Sequence, residues 1–138
     1  PDGRAVDLHD LPPKDDGVQD YMVLHELDEG WYAMTNPDRQ VGFAFVFPTD
    51  TFEYLWYWQV FGGGSGYPWY KRTYNVGLEP FSSLANGNPM PGSDAPTSLR
   101  LAAGEKRTAT MKAVAYGLPD GAVGVSGVSP EGKVSFVR

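Results

Sequence analysis

Phe52-Glu53-Tyr54-Leu55-Trp56-Tyr57-Trp58-Gln59-Val60-Phe61 is the stretch on which the fold turns. At the two-residue period of a strand, Tyr54, Trp56, Trp58 and Val60 share one face and Leu55, Tyr57, Gln59 and Phe61 the other. A helix would scatter these rings around its axis, and aromatic runs favour the pleated conformation. Upstream, Val41 to Phe47 (VGFAFVF) is apolar on both faces, as expected of an inner strand. Shorter strand signals stand at Tyr21 to Leu24 and Trp31 to Met34, separated by an Asp28-Glu29-Gly30 turn. Asn36-Pro37-Asp38 and Pro48-Thr49-Asp50 make the next turns, since the residue before proline avoids the helical region. Residues 1–20 are polar and proline-broken and read as a leading loop, with a short strand around Ala5 to Leu8.

Downstream of the aromatic run comes Gly62-Gly63-Gly64-Ser65-Gly66, then Tyr67-Pro68-Trp69-Tyr70 and a strand from Thr73 to Glu79 ended by Pro80. Residues 82–98, with Pro89, Pro91 and Pro96, form a long loop. Leu99-Arg100-Leu101 leads into an Ala103-Gly104-Glu105 turn, and Thr108 to Tyr116 alternates like a strand. Asp120-Gly121 is a hairpin signal. It is followed by a strand from Ala122 to Val128, a Pro130-Glu131-Gly132 turn, and a strand from Val134 to Val137. No segment offers a capped amphipathic helix of three turns. The expected fold is all-β, a single β-sandwich domain over residues 1–138.

The 17 glycines and 12 prolines would suit a disordered chain, but disordered chains are poor in aromatics, and this one carries 8 Tyr, 7 Phe and 4 Trp. Many turns with many rings favour short strands joined by tight loops. The net charge of −6 disfavours nucleic acid, which recruits basic surfaces, and disfavours an anionic membrane likewise. With no cysteine, disulfides, thiol catalysis and cysteine-held zinc are excluded. No apolar run approaches the ~20 residues that span a bilayer. No signal peptide is read at Pro1-Asp2-Gly3-Arg4, and a cytoplasmic location is expected.

Two readings stay open for Gly62 to Gly66: a flexible connector, or a place where another group approaches the backbone or the turn needs positive φ. It is no phosphate loop, because no Lys-Ser or Lys-Thr follows. Trp31, Trp56, Trp58 and Trp69 lie beside turns or glycine. They are core residues or the stacking wall of a ligand cleft, where rings meet the C–H faces of a sugar. Glu79, closing an apolar strand beside aromatic surface, stands where desolvation can raise its pKa toward that of a base. Lys71 and Arg72 pair with it, bind hydroxyls or are simply solvated. Asp15-Asp16 and Glu26, Asp28 and Glu29 read as solvated turns without the spacing of a calcium loop. His9 and His25 have no partner motif, and no serine sits in a nucleophile elbow.

YLWYWQVFGGGSGYPWYKRTYNVGLEPFSS at residues 54–83 resembles the aldose 1-epimerase (galactose mutarotase-like) family, with its Trp-Gln, Gly-rich, Tyr-Pro-Trp-Tyr and Leu-Glu-Pro pattern. Glu-Gly-Trp-Tyr-Ala at 29–33 and Leu-Arg-Leu-Ala-Ala-Gly-Glu at 99–105 resemble flanking strands of that family. The resemblance implies a β-supersandwich in which Glu79 is the catalytic base and Gln59 contacts the sugar. Trp58, Tyr67 and Trp69 would form the sugar platform, with Arg72 among the binding residues. Anomers interconvert there by paired proton transfer, which needs no cofactor and no metal. The family's acid histidine lies far upstream of its glutamate, and neither His9 nor His25 sits in a matching motif. The resemblance therefore implies the C-terminal half of a longer fold, completed by self-association or a partner chain. The alternatives are a non-catalytic carbohydrate-binding β-sandwich and an interaction module whose aromatics are core alone.

Overall fold

The computed structural model of the chain describes residues 7–138. Among these, eight strands form three sheets: β1 (Val18–Leu24), β2 (Trp31–Asn36), β3 (Val41–Val46), β4 (Tyr54–Phe61), β5 (Tyr74–Phe81), β6 (Lys112–Gly117), β7 (Gly124–Val128) and β8 (Val134–Val137). The sheet orders are β1-β4-β5, β2-β3-β6 and β7-β8. Only two single-turn 3-10 segments, Lys14–Asp16 and Ala85–Gly87, interrupt the strands among the described residues. The all-β class expected of a sandwich is what forms. No helix among the described residues is long and apolar enough to cross a membrane. The short strand expected around Ala5 to Leu8 falls partly outside the described residues, and Asp7 and Leu8 are not in a strand. The chain divides into two compact units, residues 7–22 with Trp56–Leu78, and Val23–Leu55 with Glu79–Arg138.

In the first unit, β4 alternates in burial from Trp56 to Gln59 and is enclosed on both faces beyond. Tyr57, Gln59 and Phe61 are buried, whereas Trp56 and Trp58 on the other face are half-buried. Phe61 and Val60 are fully enclosed, and the Phe61 ring lies 4.9 Å from that of Tyr74. The glycine run is a site of close approach rather than a connector. A β-carbon at Gly62 would stand 2.1 Å from the carbonyl oxygen of Lys14, and one at Gly63 would stand 2.5 Å from that of Val18. Gly62 and Gly64 also hold positive φ, 75° and 71°. The loop beyond is pinned by its own backbone: Gly62 N–H donates to Thr73 O, Lys71 N–H to Gly64 O, and Trp69 N–H to Gly66 O. Lys14 Nζ donates to Arg72 O, and the Tyr74 hydroxyl donates to Pro12 O at 2.8 Å, holding the 12–14 segment in place.

In the second unit, β3 is the central strand of an antiparallel sheet, pairing Ala44 with Ala33 on β2 and with Val114 on β6. Directly opposed residues share a face. One face therefore carries Ala33, Thr35, Ala44, Val46, Val114 and Tyr116. It is the inner one: Ala44 is fully buried, Tyr116 lies 5.7 Å from Phe136 of β8, and β2 meets β7. Gly42, opposite Tyr116, is small because a β-carbon there would stand 2.1 Å from that ring. The Tyr116 hydroxyl sits 2.7 Å from that of Thr35. The opposite face carries Tyr32, Met34, Val41, Phe43, Phe45, Ala113 and Ala115, and Met34, Val41 and Phe43 on it are exposed.

Several boundaries differ from the sequence reading, β1 beginning at Val18 within the stretch read as a leading loop. The strand expected from Thr108 starts at Lys112, which pairs with Val46, the last residue of β3. Earlier residues have no β3 partner, since Phe47 N–H turns away to Gly30 O. Asp120-Gly121 does make a turn, with Gly121 at φ 74°. It joins no hairpin, however, because β6 pairs with β3 and β7 with β8. The strand expected from Ala122 begins at Gly124, because Ala122 N–H closes that turn onto Pro119 O.

Replacing Gly62 with Ala forces a β-carbon into the Lys14 carbonyl at positive φ. We expect a loss of about 2 kcal/mol or more in a denaturant melt. Gly66→Ala, where nothing lies within 4 Å and φ is not positive, should melt like the parent.

Candidate functional site

The sequence nominates Glu79, Gln59, Trp58, Tyr67, Trp69 and Arg72. In the first unit, the pinned glycine loop brings Trp69 against Trp58, with ring centroids 5.1 Å apart and planes tilted by 50°. Both indoles are half-buried, so each keeps ring surface open to solvent. Tyr67, two residues before Trp69, is 85% exposed, its ring 6.2 Å from that of Tyr70 and edge-on to it. Arg72 is exposed as well, its backbone N–H donating to Trp69 O. Gln59 is adjacent to Trp58 on β4 and so points to the opposite face, where it is only 7% exposed. Trp58 and Trp69 thus meet ring to ring, Tyr67 and Arg72 lie exposed on the same loop, and Gln59 belongs to the buried side of the strand.

Glu79 belongs to the second unit. It lies inside β5 rather than at its end, since the strand continues through Pro80 to Phe81. A proline is tolerated there because β5 is an edge strand and Pro80 has no N–H to offer a neighbour. Glu79 is exposed, so the burial that the sequence reading invoked to tune it as a base is not provided by the described residues. Its charge is felt by Tyr32. Burial first, and the Glu79 carboxylate second, push the Tyr32 phenol above its ordinary pKa of 10.0. The Tyr32 ring in turn stacks on Phe45, 5.8 Å away, and Phe45 stacks on Phe43. The strand periodicity of VGFAFVF contained this ring row, but its apolar continuity disguised it as core.

The histidines do not supply a partner for Glu79. His9 Nδ1 lies 2.7 Å from Asp7 Oδ1 in open solvent, and His25 Nδ1 lies 3.9 Å from Glu26 Oε1. Among the described residues, no group of three His, Asp or Glu side chains converges to hold a metal ion.

The second unit also contains two adjoining open clefts, of about 390 and 700 Å³, which share Glu53, Tyr54 and Met90. None of the six nominated residues lines either one. The smaller is walled by the 82–98 loop, whose residues 84–98 are tied to themselves. Thr97 Oγ1 donates to Asn88 O and accepts from Leu84 N–H, and Pro89 and Pro96 form a β-bridge. Arg107 fastens the floor, its Nε donating to Thr51 Oγ1 at 3.1 Å and its guanidinium meeting Asp50. The signal available in the sequence was the loop itself, because long ordered loops are where sites concentrate.

The chain was compared with protein-family models, curated proteins and solved structures. No match was found in any of them. What the site can do therefore rests on its own residues and on the resemblance of residues 54–83.

Tyr54 and Tyr57 also lie above the ordinary phenol value, through burial first and then through the nearby Glu53 and Tyr74 respectively. A folded pKa raised above the unfolded one contributes stability that is complete below the unfolded value and is lost as pH climbs through the folded one. Unfolding by base should therefore set in above about pH 10. In an alkaline titration read by phenolate absorbance, Glu79→Gln should lower the Tyr32 midpoint and leave that of Tyr57 in place. An unmoved Tyr32 midpoint would contradict the pairing of these two groups.

Proposed function

We propose that this chain handles carbohydrate, presenting an aromatic platform of Trp58, Trp69 and Tyr67 to a monosaccharide and interconverting sugar anomers in the manner of the aldose 1-epimerase family. The observation that carries the reading is the Trp58–Trp69 pair, partly exposed and fixed by a loop in which Gly62, Gly63 and Gly64 are closely approached. Indole faces offer large rigid apolar area that suits the C–H face of a pyranose, while Arg72 beside them can donate to hydroxyls. Glu79 takes the base role that the Leu-Glu-Pro resemblance gives it. It removes the proton of the anomeric hydroxyl as the bond from C1 to the ring oxygen breaks, and an acid delivers a proton to that oxygen. Rotation about C1–C2 and reclosure yield the other anomer. Gln59, buried on the opposite face of β4, takes no part in this platform. The acid comes from a second copy or partner chain that completes the sandwich, and no cofactor enters the proton transfers.

A non-catalytic carbohydrate-binding domain is the second reading, and the exposure of Glu79 is what favours it. Polarimetry of freshly dissolved α-glucose or α-galactose separates the two. The catalytic reading expects accelerated mutarotation that Glu79→Gln reduces by about a hundredfold or more. Sugar-induced change in Trp fluorescence without acceleration supports the binding domain. Absence of both effects removes carbohydrate altogether. Size-exclusion chromatography tests the completing copy, which a stable, monodisperse monomer would count against.

A further inference from the structure

β1 begins where the glycine run passes. Val18 forms a parallel bridge with Gly62, and the next residue, Gln19, is laid along the two glycines that follow. A β-carbon at Gly63 would stand 2.6 Å from Gln19 Cβ, and one at Gly64 would stand 2.5 Å from Gln19 Oε1. The same missing carbon at Gly64 would meet Trp69 Cδ1 at 3.0 Å and Trp69 Cβ at 3.1 Å. The Gln19 amide and the pyrrole side of the Trp69 indole therefore crowd one bare stretch of backbone. Gly64 also holds φ at 71°, so two separate demands for glycine fall on this position.

The polar groups gathered there are uncommitted. The Gln19 side chain makes no hydrogen bond with a described residue, and neither do the indole N–H groups of Trp58 and Trp69. Gln19 is exposed and neither indole nitrogen is sealed in the interior, so all three reach solvent. Water satisfies them in the free protein, and a ligand must replace that water group for group. A primary amide donates through its nitrogen and accepts through its oxygen, which matches two adjacent hydroxyls of one sugar ring. Being uncharged, it suits a neutral polyol.

We propose that Gln19 is a sugar-orienting residue of the Trp58–Trp69 platform. It takes a neutral monosaccharide by a pair of adjacent hydroxyls while the C–H face of the ring lies on indole. The role rests on the carbohydrate reading and serves its catalytic and its binding form alike. Gln59, to which the resemblance gives the sugar contact, is buried on the opposite face of β4, whereas the amide beside Trp69 is that of Gln19.

Titration of the full chain with D-galactose and D-glucose, followed by Trp fluorescence and calorimetry, tests this role. The parent should bind at least one of them, and Trp69→Ala should lose that binding. Gln19→Met keeps the length of an exposed side chain and removes only its amide. It should weaken the tighter sugar about tenfold while leaving the melting temperature within about two degrees of the parent. The 2-deoxy and 3-deoxy forms of that sugar complete a cycle, because every adjacent pair of ring hydroxyls includes one of these positions. At least one of them should bind the parent about fivefold more weakly than the full sugar, and Gln19→Met should bind the two alike. A Gln19→Met penalty of the same size for the sugar and both deoxy forms would make the residue a prop for Trp69 and overturn the proposal. Gln19→Met binding as tightly as the parent would also overturn it, while leaving the platform standing. A parent that answers to neither sugar, or a response that Trp69→Ala leaves untouched, removes the platform and the orienting residue with it.

Discussion

β4 is buried along nearly its whole length. Tyr54, Leu55, Tyr57, Gln59, Val60 and Phe61 are all buried, and its two tryptophans are half-covered. Burying a large apolar side chain stabilises by about 1.5–3 kcal/mol, so a strand covered on both faces concentrates much of what holds its surroundings together. The first unit meets that demand with rings and backbone: Tyr74 on Phe61, Trp69 on Trp58, and Tyr21 edge-on to Trp56. The chain from Lys14 to Val18 can come near the end of β4 only because Gly62 and Gly63 put no side chain in its way. Packing, glycine content and the aromatic surface are therefore one constraint seen three ways.

Much of this was legible in the sequence because period and burial reinforce each other. The FEYLWYWQVF run declared its strand and its two faces, and the all-β class followed from short alternating segments between turns. Partnership was not legible. Thr108 to Met111 alternate as well as Lys112 to Gly117, but only the latter find β3 beside them. A turn sequence such as Asp-Gly likewise fixes local φ without saying whether the next strand returns to the same sheet. The ladder is a long-range property, and a single strand's pattern does not name its neighbour.

The candidate sites divide in the same way. Trp58 and Trp69 were nominated together with Tyr67, and the glycine-fixed loop brings the two indoles into contact. Gln59 was nominated with Trp58, yet strand alternation sends the two to opposite faces. The cleft beside Tyr54 was not legible at all, because its wall arises only once the 82–98 loop has folded back on itself.

The outer face of β2-β3-β6 carries a different lesson. Along β3, Ala44 is enclosed while Val41 and Phe43 stand in solvent. Tolerance to change is consequently a comb with a two-residue pitch. Enlarging Ala44 overpacks an interior, whereas shortening Phe43 or making it polar empties no cavity and sheds surface that water disfavours. Within the folding of this chain alone, the aromatic teeth of that comb are optional.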